Sequence, residues 1–263
     1  LVTTSYVLDA TPAAFASHAA HRSDFASIMN GYLAHNGPDL LLGGGAGTWS
    51  TSALSEAGFT LATTSAEMWQ AVTSAAPRVV GLFGTGVIPY EYDGLNGFPG
   101  IEEMARAALE YFGGDHAPTF LMIEGGRIDH AAHANDLPRC IGEMVAFERA
   151  VATVLSWRGD RSDVLVVVAA DHETGGLRVV EDRGHGELPV VQWATTWHTG
   201  APIRGYAIGM GAERLLGARH FTDLHELLRD PLFPRPEIRR AVWNPPDRVR
   251  LEWLGISGRV YGI

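Results

Sequence analysis

The sequence predicts an α/β fold: three layers, with a largely parallel central sheet and helices on both faces. Apolar runs rich in β-branched residues recur at residues 2–8, 39–42, 79–83, 119–123, 164–169 and 203–208. Between them lie stretches with helical spacing at 12–20, 24–35, 65–75, 101–112, 138–157 and 222–228. Strands that alternate with helices along a chain become parallel neighbours joined by crossovers that cover both sheet faces. A length of 263 residues with 46% hydrophobic content is ample for a continuous core.

Local chemistry justifies the elements in turn. Thr11 before Pro12 reads as an N-cap with proline at the first helical position, and Asn36-Gly37 reads as a helix stop. Gly43-Gly44-Gly45 follows the run DLLL and resembles a phosphate-cradling loop. Neither GxxxxGK[ST] nor GxGxxG is present, so a tight turn explains it more simply. The run TFLMI at 119–123 reads as a strand buried on both faces, yet it leads straight into Glu124 and the segment EGGRIDHAAHAND. In 138–157, Ile141, Met144, Val145, Val151, Val154 and Leu155 mark one helical face. After Asp230 the composition changes: five prolines between Pro231 and Pro246 interrupt a segment that also holds Arg239, Arg240, Arg248 and Arg250. The chain is therefore divided into a core over 1–230 and a Pro/Arg-rich tail over 231–263.

Composition excludes several functions. The net charge is −10, from 30 acids against 20 bases that are all arginine, with no basic block, so nucleic acid is not an expected partner. One cysteine, Cys140, allows no disulfide within the chain, and no base beside it makes it a nucleophile. No apolar run is long enough to span a bilayer. The N-terminal LVTTSYVLDATPAA lacks a basic leader region and reads as a strand entering a helix. A first residue already inside an apolar strand leads to the expectation that the domain is incomplete and that a portion lies upstream.

In a parallel sheet, ligands gather outside the carboxyl ends of the strands, and three such ends carry metal-binding residue types. In the first, Asp129 and His133 lie four apart on one face of a short helix after Glu124, while His130 points about 100° away. A carboxylate with an imidazole suits zinc. In the second, VLVVVAADHETGG ends on Asp171-His172, and in the third, TTWHTGAP supplies His198. One histidine after a strand is more often a satisfied polar residue than a ligand, and an acid there often caps a helix. Three such ends on one rim are not required by capping. His18, His21, His35, His116, His185, His220 and His225 have no such setting and default to surface or helix positions.

FLMIEGGRIDHAAHAND, VAADHETGGL, the WHTGAP segment and DATPAAFASHAAHR together resemble the alkaline phosphatase family over roughly residues 1–225. The resemblance implies two zinc ions roughly 4 Å apart with a magnesium nearby, a clamp for phosphoryl transfer. It assigns Asp129, His133 and His198 to the first zinc, Asp171 and His172 to the second, and Glu124 and Thr11 to magnesium. Asp9 matches an acid in the magnesium's surroundings, Arg22 matches the arginine that grips phosphate bidentately, and His130 stands where phosphate is bound through water. The family's nucleophilic serine and an aspartate bridging the second zinc and magnesium belong upstream of Asp9, and no serine here has that context. The resemblance therefore implies a phosphate monoester as substrate, inorganic phosphate as product, an N-terminal segment or chain that completes the domain, little activity of this chain alone, a possible homodimer, and a periplasmic or secreted location. Two rival readings remain: a related two-metal hydrolase acting on diesters, sulfates or phosphonates, and a metal-binding module without catalysis.

Overall fold

Strand β1 (Val2–Tyr6) is flanked on both sides, which is why its first four residues are all buried although three are polar. Those polar residues have work to do: Thr3 and Thr4 turn their hydroxyls to the segment that follows a neighbouring strand. The computed structural model describes residues 1–74, 76–113, 118–218, 220, 222–232, 237–244 and 248–254. The chain forms two units, Leu1–Gly159 with His172–Pro202, and Asp160–Asp171 with Ile203–Ile263.

In the first unit the order along the chain is β1, α1 (Ala10–Ala16), α2 (Phe25–Leu33), β2 (Leu40–Gly44), α3 (Thr51–Glu56), β3 (Phe59–Ala62), α4 (Ser65–Thr73), β4 (Arg78–Phe83), α5 (Ile101–Phe112), β5 (Ile123–Glu124), α6 (Arg127–His133) and α7 (Leu137–Arg158). The five strands form one wholly parallel sheet in the order β3-β4-β2-β1-β5. Successive side chains of a strand face opposite ways, and the core divides accordingly. Leu40, Leu42, Val79 and Phe83 pack with Met68 of α4 and Met104 of α5, while Leu41, Val80 and Leu82 pack with Ile28 and Tyr32 of α2 and Leu54 of α3. The expected three-layer arrangement is thus present in this unit. A further seam of Ile101, Ala105, Ala146 and Ala150 joins α5 to α7.

The second unit pairs β6 (Leu165–Ala169) antiparallel with β11 (Gly205–Gly209), and adds α8 (Asp223–Leu232) and the antiparallel pair β12 (Glu237–Asn244) and β13 (Arg248–Leu254). Short pairs β7 (Glu173–Thr174) with β10 (His198–Thr199), and β8 (Arg178–Glu181) with β9 (Val190–Gln192), belong to the first unit. No helix among the described residues is long and apolar enough to cross a membrane.

Several expectations are corrected. The runs at 164–169 and 203–208 are not strands of the parallel sheet but partners of each other, because an apolar run fixes strand character and not its neighbour. Of the 119–123 run only Ile123 lies in β5, with the Met122 carbonyl accepting the Val2 N–H at 2.9 Å, and Phe120 is exposed. Helix α1 starts at Ala10 with Asp9 as its N-cap, so Thr11 is inside the helix. Gly43 and Gly44 lie within β2 rather than in a loop: a Cβ on Gly43 would come 2.7 Å from Thr3 Cγ2 and 2.8 Å from Val7 Cγ1, so close strand packing accounts for that glycine. In α7 the marked apolar face is largely exposed at Ile141, Met144, Val145 and Leu155, and the buried residues are Glu143, Ala146 and Ala150. Of the 231–263 tail, β12 and β13 are described. Pro234, Pro236, Pro245 and Pro246 lie outside the described residues, as do His116 and Ala75 at the end of the helix expected over 65–75.

Candidate metal centre

Parallel pairing of β5 with β1 sets Glu124 opposite Thr3, whose hydroxyl donates to Glu124 Oε2 at 2.5 Å. The chain then passes through Gly125-Gly126, where a Cβ on Gly126 would collide with the Ser5 hydroxyl. Helix α6 follows at once, its first backbone N–H donating to the Thr4 hydroxyl at 3.1 Å. Asp129 and His133, one turn apart, meet with His133 Nε2 3.3 Å from Asp129 Oδ2.

The remaining members arrive from the β7–β10 pair, where His198 lies opposite Thr174. Glu173 fastens this pair: its Oε1 accepts the Gly176 N–H at 2.8 Å, and its other oxygen accepts the Thr199 hydroxyl. Gly175 and Gly176 both have positive φ, 92° and 60°, which only glycine adopts without strain. His198 Nε2 then sits 3.1 Å from His133 Nε2 and 3.6 Å from Asp129 Oδ1, and the His198 ring stacks on His172 with centroids 3.6 Å apart. One ligand atom from each of Asp129, His172 and His198 falls within 4.8 Å of the others.

Hydrogen bonds around this group set its chemistry. His133 Nδ1 lies 2.5 Å from the Thr196 carbonyl oxygen, which only accepts. Nδ1 therefore carries the proton and Nε2 turns its lone pair toward Asp129 and His198, the arrangement of a metal-ligating imidazole. The Thr174 hydroxyl donates to Asp129 Oδ1 at 2.6 Å and lies 3.2 Å from His172 Nδ1. One carboxylate and three imidazoles facing one another make a donor set suited to zinc.

The other expected residues fall around this centre in different ways. Asp9 caps α1 without spending its carboxylate on a capping hydrogen bond. Burial first, then the charges of Glu124 and Asp9, push the Tyr32 hydroxyl well above the usual tyrosine range. His130 is half-buried. Burial, and next the Arg127 guanidinium, hold its imidazolium below the usual histidine range. Thr11 is half-buried in α1. Arg22 is exposed in the segment between α1 and α2, beside a small cavity lined also by Ala10, Ala13, Ser17, His21 and Ile28. Asp171 belongs to the second unit, where it follows β6 and is exposed. Thr174 and Arg127 were missed by reasoning on ligand types: threonine and arginine stand inside DHETGG and EGGRIDH, and only the structure shows what they touch.

A sequence model described as Alkaline phosphatase matches residues 1–189. Alkaline phosphatase 3 of Bacillus subtilis (strain 168) is 33% identical over 193 residues, covering 69% of this chain and 41% of the relative. Streptomycin-6-phosphate phosphatase of Streptomyces griseus is 29% identical, covering 85% of this chain and 66% of the relative. Among solved structures, the alkaline phosphatase from the Antarctic bacterium TAB5 superposes with a TM-score of 0.78 at 25% identity, over 88% of this chain and 70% of that one. The match therefore spans 41% of the length of the Bacillus relative, and the matched residues 1–189 run through both the five-stranded sheet and the segments that carry Asp129, His133 and His172. With more than half of its length matched in this way, the chain belongs to the alkaline phosphatase family.

Proposed function

We propose that the whole protein hydrolyses phosphate monoesters at a centre of two zinc ions and one magnesium. The observation that carries this reading is the convergence of Asp129, His133, His172 and His198, with the Nε2 lone pair of His133 aimed into the group. Asp129, His133 and His198 would hold one zinc, Asp171 and His172 would contribute to the second, and Glu124, Thr11 and Asp9 would serve magnesium. When bound, such ions supply positive charge to the phosphoryl oxygens and to the attacking and leaving groups. The residues of this chain do the positioning: the Thr174 hydroxyl orients the Asp129 carboxylate, Arg22 would hold two phosphate oxygens through its planar fork, and His130 would donate to a phosphate oxygen through water. Phosphoryl transfer asks for placement and charge more than for covalent help.

The nucleophilic serine, which would carry the phosphoryl group between the two half-reactions, and the bridging aspartate are proposed to come from outside these 263 residues. That portion would complete the domain, and the protein is proposed to work outside the cytoplasm. The test is elemental analysis of the purified full-length protein together with turnover of an aryl phosphate, an aryl sulfate and a bis-aryl diester. Two zincs per chain with preference for the monoester are expected, and His133→Ala should lose one zinc and at least about a hundredfold in kcat/KM. Full zinc content in His133→Ala, or faster hydrolysis of the diester or sulfate, would sink the reading.

A further inference from the structure

Arg127 and His130 lie three apart on α6, with Arg127 Nη1 2.9 Å from His130 Nδ1. A guanidinium has only donors, so this contact needs an unprotonated Nδ1 and leaves the proton of the neutral ring on Nε2. His133 on the same helix has the reverse arrangement, because its Nδ1 faces a carbonyl oxygen. Two histidines less than one turn apart thus carry opposite tautomers, each set by a partner of fixed polarity. His133 has an Nε2 lone pair for a cation. His130 has none to offer, since one nitrogen is engaged and the other protonated; what it presents is an N–H.

Arg127 is itself firmly held. Its backbone N–H donates to the buried Thr4, and its guanidinium lies 3.5 Å over the Tyr90 ring. Arg139 flanks the same ring at 5.3 Å and is pinned by Asp93 and Asp136. Arg127 remains charged at any physiological pH, so its donor character toward His130 does not vary.

We propose that Arg127 is a positioning residue that locks His130 in the Nε2–H tautomer, reserving this ring as a hydrogen-bond donor to a phosphate oxygen and withholding it from the metal centre. The identity of the anion rests on the phosphomonoesterase reading; the tautomer does not.

The test is NMR of zinc-loaded full-length protein labelled with 15N-histidine at pH 8, with the His130 signals assigned by their loss in His130→Gln. Expected are a bare Nδ1 and a protonated Nε2 in the wild type, a shift toward Nδ1–H in Arg127→Met, and retention of the wild-type pattern in Arg127→Lys, which keeps a donor-only partner. Inorganic phosphate binding, followed by 31P NMR, should weaken about tenfold in Arg127→Met and recover in Arg127→Lys. A protonated Nδ1 in the wild type, or an unchanged His130 pattern in Arg127→Met, overturns the lock. A changed tautomer with undiminished phosphate binding overturns the donor role. If the wild type shows the expected tautomer but binds no phosphate, the phosphatase reading has failed and the Arg127–His130 lock stands. Should Arg127→Met fail to fold, the wild-type and Arg127→Lys tautomers still decide the lock.

Discussion

At the scale of single residues, Thr174 shows how much of a candidate metal centre would lie outside its ligands. Its hydroxyl donates to Asp129 Oδ1 and lies against His172 Nδ1, so one side chain touches two candidate ligands that arrive from different parts of the chain. A carboxylate oxygen so engaged is held in one rotamer, and its other oxygen, Oδ2, is the one nearer His133. Thr174→Val keeps the shape and removes the donor. Zinc affinity, read by competition with a chelator, is expected to fall about tenfold or more, with unchanged far-UV circular dichroism. Affinity equal to the wild type would mean that the hydroxyl orients nothing. Spacing in the sequence singled out Asp129, His133, His172 and His198, which the structure brings together, because residue types able to bind a metal are few and stand here after strands. The contributions of Thr174, Thr196 and Arg127 were not legible, since a hydroxyl, a backbone carbonyl and a guanidinium are common in every loop and acquire a role only through their contacts.

At the scale of elements, the parallel sheet was legible because alternation in β2 and β4 and the helical spacing of α4 and α5 agree with one another. The partners of β6 and β11 were not, since both faces of a short apolar strand look alike in sequence. Helix α7 was found with nearly its true limits, but the face that the sequence marks is not the one most buried. Small residues let α5 and α7 approach closely, and the seam is made by Ala105, Ala146 and Ala150. Glu143 is the unexpected member of this helix: it is 2% exposed and accepts the Glu91 N–H at 2.8 Å, tying α7 to the turn before α5. Burial raises its carboxyl above the usual range, against the smaller opposing effect of that hydrogen bond. A raised folded-state value means that the contribution to stability is complete below the unfolded pKa of about 4.5 and is lost as pH rises through the folded value. Glu143→Gln keeps an acceptor for Glu91 and cannot ionise. In urea denaturation of metal-free protein, the stability of Glu143→Gln relative to the wild type is expected to improve steadily from pH 4 toward pH 7. A difference independent of pH would show that Glu143 does not titrate at a cost to the fold.

At the scale of the molecule, a cation at the Asp129 cluster would close a long loop in the first unit. Two of the candidate ligands lie on α6 and two in His172–Pro202, a segment that folds on itself through the β7–β10 pair and is tied to α6 by the Thr174–Asp129 and His133–Thr196 hydrogen bonds. The five-stranded sheet has its own apolar core on both faces. Regions with few buried contacts open at low cost while the core stays closed, and a ligand that binds only the closed form adds about 2.7 kcal/mol at a hundred times its dissociation constant. Hydrogen exchange with and without a chelator should therefore separate the two parts. Removing zinc is expected to speed exchange roughly a hundredfold in residues 172–202 and at the end of α6, while β1, β2 and β4 keep their protection. Equal loss throughout the first unit would mean that the metal holds the whole sheet together, and no change in residues 172–202 would mean that His172 and His198 do not bind it.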